Sequence, residues 1–307
     1  MKHYSVLKKE AVDNLNINSE GIYVDATLGY AGDSLEILRK LKRGFLFAFD
    51  QDLEAINYSE KELTRIGHNF KLIHSNFVNL KEELAKLNVT KVDGILFDLG
   101  LSSPQIDNPK RGFSFMSDAT LDMRMNKDQK LDAKYIVNNY SEKELINIFF
   151  KYGEEKFSKN IAKNICLKRA VEEIARTNEL VEIIRLSVPY KYFKEHHPER
   201  KIFQAIRIAV NQELDSLEKV LPDAIDLLNK GGRICVITFH SLEDRIVKQI
   251  FKKYSDIDPI VKGLKDIPDD YKPIIKLINK KPIVPKEEEL EENSRSKSAK
   301  LRVIERL

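Results

Sequence analysis

Residues 22–50 constrain this chain more than any other stretch. They run Ile22 to Ala26, a turn from Thr27 to Gly32, an amphipathic segment through Leu35, Ile37, Leu38 and Leu41, and then Phe45 to Asp50. The outer blocks are short and apolar, as buried strands are, and Gly44 stops the helix between them. Strand, turn, helix and strand make a βαβ unit, whose two strands must lie parallel. Asp50 closes the second strand about 20 positions past the turn, where a carboxylate can accept bonds from ribose hydroxyls.

The turn itself argues about the ligand. It reads Asp25-x-x-x-Gly29-x-Ala31-Gly32 rather than G-x-G-x-x-G. A dinucleotide needs the following helix N-terminus free for its pyrophosphate, and Asp33 would repel one there. An acidic first turn suits a cationic cofactor instead, as S-adenosylmethionine is at its sulfonium and amino groups. The competing reading is a plain βα connection with no ligand.

The rhythm continues with a helix over 52–66, a strand over 70–74 and a helix over 80–87. Phe77 follows the third strand, where it can pack on an adenine or simply serve as a helix-entry hydrophobe. Val92 to Phe97 reads as a fourth strand, ending at Asp98. Gly100, Ser102, Ser103 and Pro104 then break regular structure. Asp98, these hydroxyls, Arg111, Phe113 and Phe115 gather a carboxylate, a cation and aromatic faces in one loop, a set suited to a flat polar ring. Alternatively, Asp98 caps a turn and the phenylalanines are core. The alternating order predicts a mostly parallel, doubly wound α/β sheet.

From about 117 to 200 the pattern is helical, with a capping box at Ser141 and Glu144, and it reads as an inserted helical lid over the carboxyl edge of the sheet. The expected boundaries are 1–114 and 204–307 for the α/β domain and 115–203 for the insertion. Later, Pro222 suits the first turn of a helix, Arg233 to Phe239 a strand, and Ser241 with Asp244 a helix cap. Glu287–Glu292 reads as a solvated loop and Lys300 to Leu307 as a last strand. The first twenty residues hold a short helix.

Bulk composition excludes more than it selects. The 307 residues are 42% hydrophobic and 33% charged, as in ordinary soluble globular proteins. A net charge of +4 permits nucleic-acid binding without arguing for it. The two cysteines, Cys166 and Cys235, form no C-x-x-C pattern, which is consistent with a reducing cytosol and offers no cysteine metal site. Residues 1–15 have no continuous apolar core of a signal peptide, and no apolar run approaches the ~20 residues that span a bilayer.

The motifs DLGLSSPQID, RGFSF, LDMRM, HHP-to-VNQEL, FHSLEDRIVK and SRSKSAKLR occur in order along almost the whole chain. Together they resemble the bacterial 16S rRNA (cytosine-N4)-methyltransferase family. The resemblance implies a class I methyltransferase domain with a helical insertion and S-adenosylmethionine as cofactor. It implies a cytidine in the decoding region of small-subunit RNA as substrate, a cytoplasmic setting and no membrane, and leaves a homodimer open. The implied cofactor pocket falls on Ala31, Gly32, Asp33, Asp50, Phe77, Asp98 and Gln105. Two positions depart from the family: its turn usually reads Gly-Gly-His-Ser where this chain has Ala31-Gly32-Asp33-Ser34, and Lys297 stands where Arg is usual.

A cytosine N4 amine is a poor nucleophile, so the enzyme must place it in line with the methyl and accept its hydrogens. Asp98, or the carbonyls of Leu99 and Gly100, is expected to accept them; Asp98 can alternatively hold the methionine amino group. Phe113 and Phe115 are candidates to stack on the flipped base, or else they tie the insertion to the sheet. Arg111, Arg124, Arg200, Lys201, Arg207, Arg245, Arg295 and Lys297 are candidate phosphate contacts, with an internal ion pair as the alternative for Arg207. A helix-entry bond is favoured over catalysis for His240, and no metal is expected. The rivals are a DNA amino-methyltransferase, a nucleotide-dependent oxidoreductase and a non-catalytic RNA-binding assembly factor.

Overall fold

The strands β1 (Ile22–Asp25), β2 (Phe45–Asp50), β3 (Phe70–His74), β4 (Val92–Asp98), β5 (Leu228–Thr238), β6 (Ile275–Leu277) and β7 (Lys300–Arg306) form one seven-stranded sheet. Its order is β3-β2-β1-β4-β5-β7-β6. β3, β2, β1, β4 and β5 pair in parallel, and β7 runs antiparallel to both β5 and β6. The order reverses between β1 and β4, so the crevice of the switch point opens beyond their carboxyl ends. These are coordinates of a computed structural model, which describes residues 5–307 apart from 258 and 262.

Alternation along each strand makes the sheet two-sided. Val24, Ile95, Phe97, Ile234 and Val236 meet the helices Leu80–Lys86, Glu213–Leu227 and Ser241–Ser255. Tyr23, Leu96, Cys235 and Ile237 meet Lys8–Asn14, Gly32–Lys40 and Leu53–Thr64 on the other face. Such strands are buried on both sides, which is why they read as continuous apolar runs. The chain divides into two compact units, one of residues 1–100 and 214–307 carrying the sheet, the other of residues 101–213.

The second unit is helical. Its core joins Phe113, Leu121, Met123 and Met125 to the inner faces of Ala133–Asn139, Glu142–Gly153, Ser158–Arg169, Thr177–Leu186 and Pro198–Asn211. Ser141 and Glu144 form the expected reciprocal cap. The unit starts at Leu101 and ends at Glu213, whereas the sequence placed its limits at 115 and 203. The physical reason is that Leu101, Phe113 and Phe115 pack on the helical core.

Several local expectations are corrected. Pro222 lies inside the helix Glu213–Leu227 rather than at its start. Glu287–Glu292 is a short helix, not a loop, and Glu289 accepts the Leu7 N–H at 2.8 Å. The helix after β5 is capped one residue earlier than expected, by His240 with Glu243. β6 has only three residues and gave no sequence signal. The N-terminal helix is Lys8–Asn14; positions 1–4 of the expected segment lie outside the described residues.

Candidate functional site: buried carboxylates at the sheet switch point

Three strands of the sheet unit end on a carboxylate: Asp25 on β1, Asp50 on β2 and Asp98 on β4. Asp25 is buried, and accepts the Ser34 hydroxyl at 2.7 Å and the Thr27 N–H at 3.1 Å. Burial pushes its pKa up to about 6 against those two bonds. Asp50 accepts the N–H groups of Gly29 and Asp52, each at 2.8 Å. Burial pushes it up to about 6 as well, opposed by the two backbone donors and helped by the charges of Asp52 and Asp25. Each Asp50 oxygen retains a second lone pair for a ligand diol.

The turn between β1 and the next helix brings its backbone close to whatever fills the crevice. Gly29 has φ 49° and Ala31 φ 64°, both left-handed. A Cβ on Gly32 would collide with the Ser5 hydroxyl, which would have to turn away to admit it. Ala31 turns its methyl fully into the core. Asp33 follows in the first helical turn, 5% exposed. Burial, then the Asp25 charge, raises its pKa to about 7, with Ser5 and Lys8 opposing and Glu36 adding.

Asp98 donates its N–H to the Thr27 hydroxyl at 2.6 Å. Burial and then the charges of Asp33, Asp25 and Glu243 hold its carboxyl well above the usual range. Glu243 is buried, held by the N–H groups of Phe239 at 2.8 Å and His240 at 3.3 Å. Among the described residues, one oxygen of Asp33 and one of Asp98 are buried with no hydrogen-bond partner. Buried carboxylates that repel one another and keep unused lone pairs suit a cation rich in N–H donors and reject a phosphate. Phe77 is half-buried, packed on the core edge-on to Phe97 with ring centroids 5.8 Å apart.

The other sequence-predicted residues scatter. Gln105 lies in the helical unit, buried, where its carbonyl accepts the Ser102 N–H at 3.1 Å and closes a capping box. Arg111 is 3% exposed and donates to the carbonyls of Arg124 at 3.0 Å and Met125 at 3.1 Å. Arg124 binds Asp122 through Nε at 2.8 Å and Nη2 at 2.9 Å, and donates to the Lys127 and Gln129 carbonyls. Both guanidinium groups thus hold the fold together, Arg111 through carbonyls and Arg124 through Asp122 and carbonyls.

Phe113 is buried in the helical core, and Phe115 is half-buried, packed edge-on to Phe203 at 5.8 Å. Lys201 sits 3.4 Å from the buried Glu155, and Arg207 forms a two-pronged pair with Glu213, both contacts 2.9 Å. Arg200, Arg245, Arg295 and Lys297 are exposed. His240 Nδ1 accepts the Glu243 N–H at 3.4 Å, a helix-entry bond.

Sequence reasoning missed Asp25, Thr27, Ser34 and Glu243. For Asp25 the signal was there: it ends its strand as Asp50 and Asp98 end theirs. Glu243 gave no such signal, because its proximity to Asp98 arises only when β4 and β5 pair.

A sheet ordered 3-2-1-4-5-7-6 with an antiparallel β7, and carboxylates lining its switch point, define a class I methyltransferase. The chain belongs to the MraW methylase family, whose model matches residues 1–307. It is 50% identical over 307 residues to the ribosomal RNA small subunit methyltransferase H of Exiguobacterium sibiricum, covering 100% of this chain and 98% of that protein. Solved structures show a more distant likeness. An rRNA methylase from Streptococcus thermophilus has 13% identity and a TM-score of 0.43 over 98% of this chain and 93% of its own. A putative methyltransferase from Streptococcus mutans, in complex with SAH, has 12% identity and a TM-score of 0.44 over 100% of both chains.

Proposed function

We propose that this chain methylates the exocyclic N4 amine of a cytidine in the decoding region of 16S rRNA, with S-adenosylmethionine as donor. The observation that carries the reading is the group of buried, mutually repelling carboxylates at the switch point, with unpartnered oxygens on Asp33 and Asp98. When bound, the donor supplies an electrophilic methyl on a sulfonium centre. Asp50 accepts from the ribose hydroxyls, Phe77 packs on the adenine, and the turn at Ala31 and Gly32 brings backbone close to the donor. Two carboxylates with a free oxygen allow two separate roles, so Asp33 is assigned to the donor's ammonium and Asp98 to the cytosine amine.

Asp98 acts as an acceptor. Without a cation beside it, burial and its acidic neighbours favour the protonated form, which cannot accept the amine hydrogen on both oxygens. A positive charge in the crevice lowers that pKa and frees the carboxylate. Asp98 then accepts a hydrogen bond from the N4 amine, which localises the lone pair. Asp98 would also take the N4 proton that the amine loses on methylation, so no cationic amine is left in the crevice.

The helical unit is assigned to RNA recognition, with Arg200, Arg245, Arg295 and Lys297 as phosphate contacts across the chain. Small-subunit rRNA, free or within the small subunit, is the assigned substrate, and the cytoplasm the assigned setting. No described helix is long and apolar enough to cross a membrane. Transfer of labelled methyl to small subunits, naked 16S rRNA and DNA tests the reading. Label in N4-methylcytidine from RNA or subunits is the expected result. Label only in DNA, or in nothing despite donor binding, refutes it in favour of a DNA enzyme or a non-catalytic assembly factor.

A further inference from the structure

The helical unit carries a charged face that the residues above do not explain. Segments 151–163 and 189–201 hold eight Lys or Arg against four Glu, a net +4 equal to that of the whole chain. They meet in space: Phe157 and Tyr192 lie 4.7 Å apart, and Lys201 reaches Glu155 at 3.4 Å. Two of the four acids are withdrawn from solvent, Glu155 at 0% and Glu199 at 6% exposure. Lys151, Lys156, Lys159, Lys163, Lys191 and Lys194 remain exposed. The outward charge is therefore more positive than the composition of these segments.

Aromatic rings lie among these cations. Tyr192 packs against Phe157 and, at 4.5 Å, against His196. Its hydroxyl donates to buried Glu155, with both carboxylate oxygens at 2.9 Å, which fixes the ring in place. Lys156 Nζ sits 4.3 Å from the Tyr192 ring centre and 5.2 Å from that of Phe157. Tyr190, on the same short helix, is 69% exposed. The ring cluster anchors the short helix, and the exposed Tyr190 ring, with Lys194 Nζ 5.8 Å from its centre, joins ammonium groups on long stems in a combination that tracks a nucleic-acid backbone while stacking on bases. Lysines act as point charges without a demanded geometry, which suits a run of phosphates.

We infer that this face, centred on Lys156, Tyr190, Lys191 and Lys194, is a docking surface for the phosphate backbone of an RNA strand. The inference rests on the reading of the substrate as RNA. It is tested on the full chain with unmodified small-subunit RNA as probe. The variant replaces Lys156, Lys159, Lys191 and Lys194 by Gln; the control replaces Lys42, Lys61, Lys71 and Lys86, exposed lysines of the sheet unit, by Gln.

Each lost phosphate contact lowers the slope of log affinity against log salt by about 0.7 for single strands, so the variant's slope falls by about 3. Its RNA affinity falls about tenfold or more at low salt, with donor binding by calorimetry unchanged. The control keeps the wild-type slope. The Lys191→Gln/Lys194→Gln pair alone lowers the slope by about half as much, which guards against misfolding of the fourfold variant. An unchanged slope in the fourfold variant, or an equal loss in the control, overturns the inference. Weakened binding to polyglutamate with RNA binding intact overturns it in favour of an acidic protein partner. A wild-type chain that modifies no RNA or subunit refutes the proposed function itself, a separate outcome from any of these.

Discussion

Asp33→Asn removes a charge while keeping the side chain's shape, and its effect on stability follows from the site. Folding raises the Asp33 pKa from 3.8 to about 7, first through burial and then through the Asp25 charge. Because the folded pKa is the higher one, the stability associated with the proton is complete below pH 3.8 and is lost as pH rises through 7. At ~1.36 kcal/mol per pKa unit, the ionised form costs the empty protein at most about 4 kcal/mol at pH 8. An asparagine side chain never ionises, so the variant is more stable at pH 8, and the gap narrows to about half or less by pH 5. Denaturant unfolding at both pH values measures it. The same variant binds the cationic donor about tenfold or more weakly, since a charge-assisted hydrogen bond is lost. Donor binding by wild type near pH 6.5 also releases a proton, seen by calorimetry in buffers of different ionisation enthalpy, and the variant loses part of that release. A stability difference that does not vary with pH, or an unaltered donor affinity, refutes the assignment.

Other expectations are more local. Asp98→Asn should lower methyl transfer by about 10²–10⁴-fold while donor affinity moves only a few-fold, and a near-normal turnover would remove Asp98 as acceptor. Arg111→Ala strands the buried Met125 carbonyl and the part-buried Arg124 carbonyl and should destabilise the helical unit by about 1–3 kcal/mol in an unfolding titration, leaving the salt slope of RNA binding at its wild-type value. Arg207→Ala leaves Glu213 unpaired and should cost about 3 kcal/mol, part of which the double variant with Glu213→Ala recovers; simple additivity in that cycle would show the pair uncoupled.

The chain alone determined the order of strands and helices in the first hundred residues. Each of those elements lies close to its neighbours in sequence and announces itself by an apolar run or a turn residue. The motifs likewise pointed to the family, and strand ends at Asp50 and Asp98 are local features, visible without a fold. What only the tertiary structure decided depends on distant pairings. β6 is three residues long and exists because β7 offers it an edge. The sequence shows the charge of Arg111 and not the carbonyls of Arg124 and Met125 to which it donates. For Phe113 and Phe115 the letters left base stacking and packing both open, and their contacts with the helical core appear only in the fold. The carboxylate field shows the same divide. Asp25, Asp33, Asp98 and Glu243 span more than two hundred positions of chain, and their mutual repulsion arises only when β1, β4 and β5 align in parallel. A charge can be read from a letter, but its partners and its burial are set by the sheet.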